Sequence, residues 1–252
     1  MKIAVWFSSG AASAVAAWQT ICAYPMADIR IVNNPIAEED EDNLRFLCDV
    51  EDWLHRTTQW GGKIEFASNP DWPTASAVDV WDKVSFMSGP KGAPCTKFLK
   101  KHSRQHWENN NEVDYHVFGF TADERKRHER FILTERENTL PVLINANITK
   151  ADCYQILIDA GIALPRVYLE GYPNANCIGC VKATSPTYWN HVRQTRPKTF
   201  QERAEQSRRI GAKLVRVKNK RIFLDELDLN AKGRPMRNMD FECGIFCEER
   251  DV

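Results

Sequence analysis

The chain has 252 residues, 43% of them hydrophobic and 27% charged, which supports a packed core and excludes a disordered chain. Lys and Arg together number 34, as do Asp and Glu, so the formal net charge is zero and a globally basic nucleic-acid footprint is excluded, a local patch aside. No apolar run nears the ~20 residues of a bilayer span. The opening MKIAVWFSSG also turns polar too early for a signal-peptide core, so a cytoplasmic protein with no membrane partner is expected.

KIAVWFSS, from residue 2, is a short apolar run of strand type. A small-residue turn follows, then AASAVAAWQTICAY with helical propensity. DIRIVNN (28–34) predicts a second strand, and residues 39–60, EDEDNLRFLCDVEDWLHRTTQW, an amphipathic helix whose acidic start suits the helix dipole. GKIEFASN predicts a third strand, VDYHVFGFT a fourth and LPVLINAN a further β-rich run. Strands alternating with helices imply an α/β fold, a Rossmann-like parallel sheet covered by helices on both faces, with ligands at the carboxyl ends of the strands.

The pattern changes near residue 148. TKADCYQILIDAG predicts a helix with Thr149 as N-cap, Asp152 three residues on and Gly161 as its stop. YLEGYPNANCIGC is rich in turn formers. Two helices separated near Pro197 follow, then LVRVKNKRIFLDEL, which reads as a strand pair turning at KNK. Residues 1–148 are therefore expected to form the nucleotide-type α/β domain. Residues 149–252 are expected to form a helical and hairpin section that completes a site and carries a cysteine-bearing tail.

Eight cysteines in a reducing compartment point to metal ligation or thiol chemistry before disulfides. Cys22, Cys48 and Cys153 sit at helical spacing in apolar stretches and are expected in the core. Cys95, Cys177, Cys180, Cys243 and Cys247 remain for chemistry. The loop FSSGAAS joins a strand to a helix, where backbone N–H groups and a helix N-terminus hold phosphate or sulfate, and Ser8, Ser9 and Ser13 add hydroxyls. It fits neither GxxxxGK[ST] nor GxGxxG, and an ordinary turn packed with small residues reads the same way.

FSSGAAS resembles the pyrophosphate loop, SGGxDS and its variants, of the adenine nucleotide α-hydrolase superfamily, to which the sulfonucleotide (PAPS and APS) reductases belong. The match implies Ser8, Ser9, Gly10 and Ser13 as phosphate- or sulfate-binding positions. Ala11 and Ala12 stand where ATP-using members often carry Lys and Asp. GFTADERKRHERF resembles the family's G-x-R-xx-E-S-xx-R segment, with Gly119, Glu124 and Arg127 in register and Thr121 in place of the first Arg. Arg125, Lys126 and Arg130 beside them suit phosphate neutralisation, or equally a solvated helix start.

PCTKFLKK followed by NCIGC resembles the cluster motif of APS reductases, a Cys-Cys pair and then a distant CxxC. Cys95, Cys177 and Cys180 match and Thr96 replaces the second cysteine, so either the fourth donor comes from elsewhere, Cys247 being the obvious one, or the fourth iron stays open to a small ligand. A 4Fe–4S cluster is thereby implied, with thiolate-bound zinc as the alternative. ECGIF resembles the C-terminal ECG[IL]H motif, making Cys243 the implied nucleophile, with Phe246 where the family has His. The resemblance implies an enzyme that reduces an adenine sulfonucleotide to sulfite with a thioredoxin- or glutaredoxin-like reductant, and a homo-oligomer is among the assemblies it allows. Two alternatives stand beside it. One is ATP-dependent sulfur transfer to tRNA or DNA, for which the clusters RKRHER and RRIGAKLVRVKNKR offer a nucleic-acid surface. The other is a metal-stabilised nucleotide-binding module.

Overall fold

A computed structural model describes residues 1–90 and 92–236. In chain order the first elements are β1 (Lys2–Trp6), α1 (Ala11–Ala23), β2 (Asp28–Asn33), α2 (Asp42–Thr57), β3 (Glu65–Phe66), α3 (Ala77–Val84), α4 (His102–Glu108) and β4 (Tyr115–Val117). They continue with α5 (Arg125–Thr134), α6 (Val142–Asn145), α7 (Lys150–Asp159), α8 (Arg166–Leu169), α9 (Pro186–Thr195), α10 (Pro197–Ile210), β5 (Val215–Val217) and β6 (Lys220–Ile222). The chain forms two compact units, and neither is a single stretch of sequence. One draws on 1–35, 41–68 and 103–169, the other on 36–40, 69–102 and the described residues from 170 on.

The first unit is α/β. Its four strands are all parallel, in the order β3-β2-β1-β4, consistent with a Rossmann-like fold. Parallel strands cannot be joined by tight turns, so each connection carries helix, and the apolar faces of strand and helix bury each other. Ile3, Val5, Ile31, Phe46, Leu54, Val117, Leu143 and Leu157 form this core. Helix α1 contributes mainly alanines, of which Ala14, Ala16 and Ala17 are fully buried, so neighbouring backbone packs close to it. The order reverses at β1, which lies between β2 and β4, and such a switch point opens a crevice at the strands' carboxyl ends.

The second unit contains α3, α9, α10 and the antiparallel pair β5–β6, which turns at Lys218 and Asn219 as expected. Its most buried large side chains include Trp81, Tyr188 and Trp189. Among the described residues no helix is long and apolar enough to cross a membrane.

Several expectations hold. Helices split at Pro197, and α7 is capped by Thr149, whose hydroxyl accepts the Asp152 N–H at 3.2 Å while the Asp152 carboxylate accepts the Thr149 N–H at 2.8 Å. Others need correction. LPVLINAN is not a strand. Thr139 bridges His116 beside β4, but Pro141 has no N–H to extend a ladder, and the chain turns into α6 with Val142, Leu143 and Ile144 all buried. A three-residue apolar run buried on every side carries no period to tell helix from strand. Helix α2 starts at Asp42, not at residue 39, and Glu39 and Asp40 are used elsewhere. Cys22 and Cys48 are exposed, because each falls one position past the buried stripe of its helix; only Cys153 is in the core. Burial pushes the Cys153 thiol up to about 12, so it is inert at neutral pH.

Candidate functional site

In the α/β unit, the carboxyl ends of β1, β2 and β4 bring together the loop after β1, Asn33 and Gly119. The loop is fastened internally. Ser13 Oγ accepts the Ser8 N–H at 3.1 Å, lies 3.2 Å from Ser8 Oγ, and donates to the Gly10 carbonyl at 2.9 Å. Ser9 takes a left-handed conformation, φ 56°, an unfavourable region for a residue with a Cβ. Asn33 at the end of β2 holds it there, donating from Nδ2 to the Phe7 carbonyl at 2.8 Å and to Ser9 Oγ at 3.1 Å. No side chain caps helix α1 at Gly10. The Ala11 N–H reaches only the Tyr168 hydroxyl, at 3.4 Å.

Gly119, two residues past β4, closes the loop from the other side. A Cβ there would lie 2.8 Å from Ser13 N and 3.0 Å from Ala12 C, closer than packed atoms tolerate, so only glycine lets the two strand ends approach. Ser8, Ser9, Gly10, Ser13 and Gly119 are thus brought together at the switch point. Glu124 and Arg127 are committed differently. The Glu124 carboxylate accepts the Thr121 N–H at 3.2 Å and the Thr121 hydroxyl at 3.3 Å, and it pairs with Arg127. Arg125, Lys126 and Arg130 are exposed.

In the second unit, the turn carrying Cys177 and Cys180 is gripped from several sides. Tyr188, 1% exposed, accepts the Gly179 and Cys180 N–H groups on its hydroxyl, each at 3.0 Å, and burial holds its pKa well above the usual tyrosine value. The Ile178 N–H donates to the Glu38 carbonyl at 3.2 Å. Gly179, φ 74°, makes the left-handed bend that puts two cysteines three positions apart on one turn.

The segment 36–40 organises this unit. The Glu38 carboxylate accepts the Ala77 N–H at 2.7 Å, the Val78 N–H at 3.2 Å and the Ser76 hydroxyl at 2.7 Å, capping α3. Glu39 pairs with Lys100 at 3.2 Å, both side chains 9% exposed, and Asp40 pairs with Arg196 at 3.1 Å. Lys100 belongs to a π-helical turn, Thr96–Lys101, that begins directly after Cys95; such turns are uncommon and frequent at functional sites.

Cys177 and Cys180 are buried and Cys95 is half-buried. Arg203 on α10 is 3% exposed and stacks on Trp81, its guanidinium carbon 4.4 Å from the ring centre. Burial pulls its guanidinium pKa down, and the nearby Glu38, Cys177, Tyr188 and Cys180 oppose that shift. Two buried thiols on a rigid turn beside a buried cation suit a thiolate-held metal centre, which needs anionic sulfur and a compensating positive charge. Among the described residues no three His, Cys, Asp or Glu side chains group as a metal site, so Cys95, Cys177 and Cys180 are not gathered into one there. Cys243 and Cys247 lie outside the described residues.

Asn33, Tyr168, Glu38, Tyr188 and Arg203 were not singled out from the sequence. Asn33 closes a predicted strand, a position where a polar residue meets ligand or loop. The other four carry no local signal. A search against protein-family models and against curated proteins finds no match to this chain.

Proposed function

We propose that this chain is a sulfonucleotide reductase-like enzyme of the adenine nucleotide α-hydrolase superfamily, reducing APS or PAPS to sulfite and AMP or its 3′-phosphorylated form. The chief support is the serine loop closed on Gly119 at the point where the sheet order reverses. There an uncapped helix N-terminus, hydroxyls and a strained Ser9 form a cradle for phosphate or sulfate. Ser8, Ser9, Gly10 and Ser13 hold the anionic part of the nucleotide.

Cys243 is the proposed nucleophile. Its thiolate attacks the sulfonate sulfur, a sulfur–sulfur bond forms, and the bond from sulfur to the phosphate oxygen breaks, the nucleotide leaving with that electron pair. A thioredoxin- or glutaredoxin-like dithiol then attacks Cys243 Sγ and displaces sulfite. Its second thiol resolves the mixed disulfide, and the two electrons of the reduction come from that dithiol. Cys177 and Cys180, joined by Cys95 and Cys247, are the proposed ligands of a 4Fe–4S cluster, or of zinc. When bound, this group supplies a fixed charge that tunes nearby electrostatics.

ATP-dependent sulfur transfer to tRNA is the second reading, favoured by the exposed Arg125, Lys126 and Arg130. Anaerobically purified protein incubated with APS, with PAPS, or with ATP plus tRNA separates the two. Sulfite release with a dithiol present supports the reductase, AMP with thiolated RNA the transferase. Binding of nucleotide without turnover leaves only a nucleotide-binding module.

A further inference from the structure

Arg203 is an anomaly of the second unit. A guanidinium 3% exposed ordinarily makes a direct ion pair with a carboxylate, and Glu38, the acidic group that acts on Arg203, makes none with it among the described residues. Arg203 instead pairs with Gln206, whose own amide is spent on the Val78 carbonyl at 3.1 Å. Its Nε has no hydrogen-bond partner among the described residues. That nitrogen faces the CxxC turn, lying 3.7 Å from where a Cβ on Gly179 would stand. The indole it stacks on is orphaned too: Trp81, 1% exposed, leaves Nε1 unpartnered. Native interiors satisfy such donors, so a buried guanidinium nitrogen left without a partner beside the CxxC turn marks an acceptor that belongs there.

We propose that Arg203 is the charge partner of an anionic centre held by Cys177 and Cys180, donating from Nε to its sulfur, with Trp81 as the platform that fixes the guanidinium. This rests on the reading of that turn as a metal-thiolate site. A centre held by several thiolates carries net negative charge, and in a buried setting one fixed cation lowers the cost of holding it. A hydrogen bond to sulfur also favours the reduced, more negative state of a cluster. Arg203 therefore acts on retention of the centre and on its potential, and does not touch substrate.

The test uses the full chain, purified anaerobically, with three readouts: metal and sulfide content, the rate of metal loss to a chelator, and, where iron is present, the midpoint potential. R203M should melt cooperatively yet lose metal about tenfold faster than wild type, the usual scale for removing a group that supports metal ligands. Its potential should fall. R203K, which keeps the charge but cannot donate from the Nε position, should restore most of the retention and leave the potential shifted. W81F keeps the stacking ring and serves if R203M fails to fold; it should loosen metal retention by a smaller factor. Unchanged chelator kinetics in folded R203M, or in W81F where R203M does not fold, overturn the proposal. Wild type that holds neither iron nor zinc overturns the metal-thiolate reading itself, a separate result.

Discussion

Gly119 has no room for a side chain, and the consequence is local and measurable. In G119A the new methyl meets the Ser13 backbone at 2.8 Å, and backbone cannot swing aside as a long side chain can. The β4 end must retreat from the loop, at about 1–3 kcal/mol by the scale of overpacked interiors. Calorimetric binding of adenine nucleotide is expected to weaken by at least the factor that the loop's displacement imposes, with a lowered Tm; wild-type affinity would show that the loop does not bind. His116 makes a prediction in pH. Burial first, then Arg136 and Arg104, depress it to about 3 from an ordinary 6.5. The unfolded chain takes up that proton below about 6.5 and the folded chain only below about 3, so stability falls as pH drops through this window and is unaffected above it. Denaturant midpoints taken from pH 7 to pH 4 should fall, and H116F, if folded, should flatten the slope. At this scale the serines, Gly119 and the CxxC pair were legible because each belongs to a short contiguous motif. Arg203 was not: an arginine on an amphipathic helix reads as a solvated face, and only the tertiary structure buries it against Trp81. Cys22 and Cys48 failed for the opposite reason, since apolar neighbours in sequence did not place them on the buried stripe.

At the scale of elements, the acidic run before α2 carries more than its local pattern shows. Read along the chain, Glu39 and Asp40 look like a helix start. In the fold they are ties, Glu39 to Lys100 and Asp40 to Arg196, while Glu38 caps α3. Glu38→Ala strands the first N–H groups of α3 and is expected to cost about 1–2 kcal/mol, the range of a lost N-cap. Chemical denaturation measures it, and a cost near zero would mean that Ser76 alone caps the helix. Strands β1, β2 and β4 and helices α7, α9 and α10 were legible because period, caps and proline breaks are written locally. The run 140–147 was not, because three buried apolar residues have the same appearance in either state, and Pro141 decides between them by lacking an N–H.

At the scale of the whole molecule, the order β3-β2-β1-β4 and the assembly of the second unit from three separated segments depend on contacts far apart in sequence, which no local pattern records. What the sequence conveyed is the chemistry proposed above: hydroxyls after the first strand to hold an anion, thiols in a CxxC, and Cys243 of the ECG segment as the proposed nucleophile. The reductase reading joins these through one covalent event at Cys243, and intact-mass analysis of the chain after exposure to sulfonucleotide without any dithiol observes that event directly. With APS or PAPS, wild type should gain the mass of a single sulfonate group, mapped by peptide fragmentation to Cys243, while C243S gains none and a dithiol removes the adduct as sulfite. A chain that binds either nucleotide and gains no mass, or gains it at another cysteine, would contradict the account.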